Sequence, residues 1–267
     1  MTVAPQVGRT GPYTGAAEAR RRDTWWLLPL TVVVVLGSFG IYSFWAAMQG
    51  ANYYADPYLS PFYSPCLASI CAHQTLPIIG IWWNLSPAFL ILWIPLGFRA
   101  TCYYYRKAYY RSFFFSPPAC AIPDAARSYS GETRFPFILQ NLHRYFFWLS
   151  AIVVVFLWWD ALLAFSFPIE ATGTRGFGIG LGTIVLIANA ALLSLYTLSC
   201  HSCRYLCGGY LNSFRKAPFR YRLWRITNYL NPRHPMFAWI SLFGVAIADM
   251  YVRLVASGWI QDPRIVF

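Results

Sequence analysis

Five stretches of the chain are almost continuously apolar, and polar residues gather between them. They run over about 25–48, 78–98, 145–167, 177–199 and 236–259. About 20 apolar residues cross a bilayer core of about 30 Å, so each is long enough to span. Runs such as Leu30–Leu36 and Ala151–Trp159 carry almost no polar atom. A barrel strand alternates apolar and polar positions, whereas these do not, so the spans are expected to be helices. The fold class predicted is an all-α integral membrane protein, a bundle of five transmembrane helices over residues 25–267, preceded by a polar tail over 1–24. The first apolar run begins too far in, and is too long, for the core of a cleavable signal peptide.

Composition agrees with this pattern. Of the 267 residues, 58% are apolar and only 11% charged. A soluble domain carries roughly 25% charged residues. The aromatic share of 19% also excludes a disordered chain.

Charge adds an orientation. With the N-terminus inside, the tail holds four basic residues and the loops 99–144 and 200–235 hold seven each. Only Arg175, Arg253 and Arg264 fall on the other side. This asymmetry predicts a cytoplasmic N-terminus and an external C-terminus. The net charge of +12 is thus a topology signal and a docking surface. No nucleic-acid-binding motif accompanies it, so a nucleic-acid partner is not expected. Trp25, Trp26, Trp82, Trp83, Trp239 and Trp259 sit near span ends, as interfacial belts do.

Thr101–Phe115 reads as an aromatic, basic extension of the second helix, and Arg204–Arg225 extends beyond the fourth span. The outer loop 49–77 reads as a proline-rich cap. Gly176, Gly178, Gly180 and Gly182 alternate at the start of the fourth span and read as close-packing positions.

Cysteine and histidine carry the candidate chemistry. Cys66, Cys71 and His73 fall on the outer side, and the two thiols could pair there as a disulfide. Everything else collects at the inner ends of the helices: Cys102, Cys120, His143, Cys200, His201, Cys203, Cys207 and His234. Cys203 and Cys207 read equally well as small apolar filler. Three imidazoles and several thiols at one depth point to a metal or cofactor. One haem b, held by two of His143, His201 and His234, is an alternative. A two-haem wire is disfavoured, because the outer face offers only His73. Zinc suits the donor types, but nothing in the sequence points to zinc chemistry. A Rieske-type [2Fe–2S] cluster, with two Cys on one iron and two His on the other, also matches this set. The soluble Rieske spacing is missing: the C-x-H of Cys71 and His73 has no C-x-x-H after it. The ligand choice is Cys102 and Cys120, with His143 and either His201 or His234; Cys200 substitutes if Cys120 lies too far out.

Ionisable residues within spans are functional suspects. Asp249 and Arg253 share a helix face four residues apart. They read either as a neutralised ion pair or, with Tyr251, as a quinone site. A second quinone position is expected near Arg99, Tyr103 and Trp93. Asp160 lies late in the third span.

Several stretches resemble a known family. They are Arg99–Arg111 (RATCYYYRKAYYR), Ser116–Cys120 (SPPAC), Gly131–Pro136 (GETRFP), Asn141–Tyr145 (NLHRY), Cys200–Ser202 (CHS) and Asp249–Arg253 (DMYVR). From the second span onward the chain resembles the five-helix membrane anchor of succinate dehydrogenase or fumarate reductase, respiratory complex II. Within that family it is similar to an actinobacterial-type class that lacks the haem pairs and carries a membrane-embedded Rieske-type cluster. The resemblance implies a bacterial plasma-membrane subunit with two soluble partners, a flavoprotein that oxidises succinate and an iron–sulfur subunit. It implies electron transfer to a quinone, menaquinone or ubiquinone. A non-redox scaffold or small transporter is the reading of a different class.

Overall fold

Leu27–Gln49 holds 23 residues without a charge, and it forms helix α1 in the computed structural model, which describes residues 23–65, 76–79, 83–86, 88–122, 125, 133–135, 137–169 and 173–267. Gly50 ends α1 in the left-handed region, φ 55°, where glycine carries no steric penalty. The chain turns through a two-residue ladder, β1 (Tyr54–Ala55) on β2 (Tyr58–Leu59), and a short 3-10 turn at Pro61–Tyr63. These residues pack against Ala46, Ala47 and Ala88 as an apolar cap on one end of the bundle.

The second predicted span is the main departure. Residues 78–98 are helical only from Phe89, where α2 (Phe89–Ala100) begins. Before it, β3 (Leu76–Ile79) pairs antiparallel with β4 (Trp83–Leu85). Pro77 and Gly80 are poor helix residues, and apolarity alone does not distinguish strand from helix in so short a run. The twelve residues of α2 rise about 18 Å. Among the described residues, four helical stretches are long and apolar enough to cross a membrane, Leu27–Gln49, Phe137–Leu163, Leu181–Leu198 and Pro218–Ala256, and α2 is a shorter apolar helix beside them.

Cys102 breaks the chain between α2 and α3 (Tyr103–Phe113). The expected continuous extension is therefore a separate helix. After a 3-10 segment at Phe137–Leu142, α4 runs over His143–Leu163. β5 (Ser166–Ile169) and β6 (Thr174–Gly180) follow as an antiparallel pair. The fourth span thus begins at Leu181 rather than Phe177, as α5 (Leu181–Leu198). Of its alternating glycines, Gly176, Gly178 and Gly180 lie in β6 and Gly182 lies in the first turn of α5. A Cβ on Gly178 would stand 2.6 Å from the Phe167 ring, and one on Gly182 would stand 2.5 Å from the Tyr58 ring. Then come α6 (His201–Gly208), the basic α7 (Pro218–Leu230) and α8 (His234–Ala256). The terminal strand β7 (Arg264–Val266) adds to β6, giving a sheet of order β5-β6-β7.

Small residues let the helices approach. Ala161, Ala164, Ala190 and Ala248 are buried between α4, α5 and α8, together with Leu157, Leu186 and Val252. Outward, Val34, Ile41, Ile152, Val155, Ile184 and Ile247 are exposed, an apolar girdle suited to lipid. A second buried cluster lies at the basic end, around Phe98, Tyr105, Phe147, Tyr196 and Phe237, and it includes Cys102, Cys200 and Cys203.

Candidate functional site

Two helix breaks build the site. Cys102 caps α3 at φ −63°, ψ 129°, and Cys200 caps α6 at φ −64°, ψ 144°. Both cysteines follow an apolar helix and precede a short one. The extended conformation turns each thiol out of the helical path into the bundle, where Cys102 and Cys200 are 2% and 1% exposed. Two imidazoles meet them from the first residues of α4 and α8. Cys102 Sγ lies 3.3 Å from His234 Nε2, and Cys200 Sγ lies 3.1 Å from His143 Nε2.

The supporting residues repeat across the two halves. Thr101 Oγ1 is 2.9 Å from His143 Nδ1, and Ser199 Oγ is 2.8 Å from His234 Nδ1. Phe98 stacks on His143 and Tyr196 on His234, each with ring centroids 4.9 Å apart. Each half therefore contributes an aromatic ring, a hydroxyl, a thiol and a histidine. Each histidine stacks within its own half and meets the thiol of the other. Partners on Nδ1 fix ring orientation and leave Nε2 facing inward.

Thr101, Cys102, His143, Cys200 and His234 line one cavity of about 1040 Å³ that also includes Arg106, Gln140 and His201. Burial pushes the Cys200 thiol up to about 11. Without a metal it is a neutral thiol, and ligation would displace its proton. Burial likewise raises Cys203, to about 12; Cys203 sits in the apolar cluster rather than on the cavity.

The predicted residues divide as follows. Cys102, His143 and His234 come together with Cys200. Cys120 is exposed in the segment after α3 and does not line the cavity. His201 is exposed at the cavity's edge. Cys66, Cys71 and His73 lie outside the described residues. The hydroxyls of Thr101 and Ser199 and the two stacking rings were not anticipated. Their signal is a repeated pattern, aromatic-x-x-hydroxyl-Cys, at Phe98–Cys102 and Tyr196–Cys200.

At the cap end, Asp249 and Arg253 are buried and paired, Nε to Oδ2 at 2.8 Å. Tyr42 donates to Asp249 at 2.5 Å, and Ser60 also donates to it. The remaining Arg253 donors go to Gln49 Oε1 and to the carbonyls of Ala51 and Ala46. Tyr251 donates to Asp262 at 2.5 Å. Ser64 donates to Asp160. The Asp249 carboxylate and the Arg253 guanidinium are thus both engaged by protein.

Between these ends lies an apolar cavity of about 410 Å³, walled by α1, α2, α4, α5 and α8. Arg99, Trp93 and Ser43 are among its lining residues. Ser43 Oγ is buried without a hydrogen-bond partner among the described residues. The Arg99 guanidinium donates to Tyr105 Oη at 2.6 Å and to Ser241 Oγ at 3.0 Å, and it lies 4.7 Å from the centre of the Tyr196 ring.

Comparison with known proteins adds identity to this geometry. A solved structure titled "Mycobacterium smegmatis Sdh1 complex in the apo form" contains a chain 46% identical to this one; the match covers 94% of this chain and 95% of that one, with a TM-score of 0.82. No curated protein sequence matches. A family model described as actinobacterial succinate dehydrogenase subunit SdhC matches residues 27–258. The chain therefore belongs to the actinobacterial SdhC family, and is the membrane subunit of a succinate dehydrogenase complex, an oxidoreductase.

Proposed function

We propose that this subunit carries electrons from a soluble iron–sulfur partner, fed by a succinate-oxidising flavoprotein, to a membrane quinone through a [2Fe–2S] cluster at its basic end. The single observation that carries this reading is the convergence of Cys102, Cys200, His143 and His234. Two buried thiols and two imidazoles with fixed Nδ1 partners are the donor set of a His-ligated cluster. Among the described residues no three metal-binding side chains close around one point. Each close pair joins one thiol to one imidazole, so a cluster here would draw its two thiols and its two imidazoles from across these pairs, both Cys on one iron and both His on the other. A thiol within 3.3 Å of each Nε2 also weighs against an axial haem pair.

Bound there, the cluster supplies one-electron transfer. The protein supplies position, low dielectric and a packed route. Tyr196 stacks on His234 and underlies Arg99, which lines the apolar cavity. The quinone, menaquinone or ubiquinone, is placed there, with its ring toward Arg99 and its tail along Phe39, Leu92 and Val245. The saturated network at Asp249, Tyr251 and Arg253 is assigned to holding the helices.

The reading includes five crossings, the fifth being α2 completed by the β3–β4 hairpin, with the basic end cytoplasmic and the C-terminus external in a bacterial plasma membrane. The test is spectroscopic. The reduced complex should show an EPR signal with the low average g-value of a His-ligated cluster, and His143→Ala with His234→Ala should remove it. The double variant should still oxidise succinate with a soluble dye while quinone reduction is lost. A haem Soret band, or absence of iron and sulfide from the intact subunit, would overturn the assignment.

A further inference from the structure

A second cavity, of about 410 Å³, opens at the basic end between α1, α3 and α8, sharing Tyr104 and Lys107 with the cavity of the four donors. Its walls are apolar: Val32 and Val35 from α1, Trp239 and Phe243 from α8. Trp239 is held in place by donating to Tyr104 Oη at 2.8 Å. Phe243 is 50% exposed, so the groove communicates with the lipid-facing surface. At its polar edge stand Lys107 and Arg111. They are four residues apart on α3 and so share one face.

Neither cation forms an ion pair or hydrogen bond among the described residues. Among the described carboxylates, Asp56, Asp160, Asp249 and Asp262 are engaged elsewhere, by Arg175, Ser64, Arg253 and Tyr251, and Asp23 also has a partner. Two uncompensated cations above an apolar slot at headgroup depth match a ligand with an anionic head and hydrocarbon tails. A neutral quinone would leave both charges unanswered.

We infer that this groove is a specific site for an anionic phospholipid, its phosphodiester held by Lys107 and Arg111 and one acyl chain lying along Val32, Val35 and Phe243. The site requires only that α3 lie at the membrane surface. It stands whether or not the redox centre is as proposed.

The whole complex, exchanged into nanodiscs of phosphatidylcholine doped with phosphatidylglycerol or with phosphatidylethanolamine, provides the test by native mass spectrometry. Phosphatidylglycerol should remain bound to this subunit in preference to phosphatidylethanolamine. Lys107→Gln with Arg111→Gln should weaken retention by about tenfold or more, given roughly 1 kcal/mol per basic residue at such a surface. Val32→Trp fills the slot but keeps both cations, and it should also release the lipid. Equal retention of the two lipids, retention unchanged in both variants, or crosslinking of a photoactivatable quinone to the Trp239 segment in place of lipid would each overturn the assignment.

Discussion

Cys102 and Cys200 occupy equivalent places, and the two halves of the site must fail alike when either is removed. Cys200→Ser and His234→Ala should each abolish the cluster signal in the purified complex, whereas Cys120→Ser should leave it intact. The hydroxyls act at one remove. Thr101→Val and Ser199→Ala free an Nδ1 that now has a fixed partner, and loss of such supports typically costs about 10–100-fold in metal affinity. Both variants should therefore lose iron faster to a chelator, measured as iron per complex over time. At the other end of the bundle, Asp249→Asn leaves Arg253 buried, 7% exposed, with its charge uncompensated. Breaking a buried pair in this way costs about 3–5 kcal/mol. The expected result is a lower unfolding temperature in detergent, with any assembled complex keeping its cluster signal.

Among the elements, α2 is held by contact more than by length. A Cβ at Gly97 would lie 2.1 Å from the Phe146 ring, so Gly97 sets the distance between α2 and α4. Gly97→Val should destabilise by about 1–3 kcal/mol through overpacking, visible as a lower unfolding temperature. Gly37, in the middle of α1, meets nothing within 4 Å. Gly37→Ala should be neutral or should stabilise by up to about 1 kcal/mol. The same contrast explains what was legible beforehand. α1, α4 and α8 announce themselves by uninterrupted apolar runs. β6 was read as helix although Gly176, Gly178 and Gly180 recur with period two, the spacing of one strand face. The hairpin before α2 was hidden because its residues are as apolar as a span. All four converging donors were legible from depth along the chain, Cys200 as the substitute should Cys120 lie too far out. Cys120 does lie too far out, exposed in the segment after α3.

The molecule as a whole is polarised. Basic residues crowd the end with the four donors, and the β5-β6-β7 sheet closes the other. Asp262 ties that sheet to the bundle by accepting from Gly182 N at 2.9 Å and Tyr58 Oη at 2.6 Å. If the basic end is cytoplasmic, a cysteine placed by Arg264→Cys, in a background lacking Cys66 and Cys71, should react with a membrane-impermeant maleimide on intact cells. Labelling only in inverted vesicles would reverse the orientation. If the proposed iron–sulfur partner docks on the basic face, its docking should weaken with salt, because the Debye length falls from about 10 Å at 0.1 M to about 3 Å at 1 M. Dissociation followed by size-exclusion chromatography would measure it.

The spacing of the four donors along the chain has a consequence for biogenesis. Cys102, His143, Cys200 and His234 span about half of the polypeptide, and His234 opens its last helix. Translation must be nearly complete, and that final helix threaded beside the others, before the fourth donor arrives. If the proposed cluster is bound there, iron and sulfide would have to reach a bundle already inserted, through its basic end and before any partner covers that entrance.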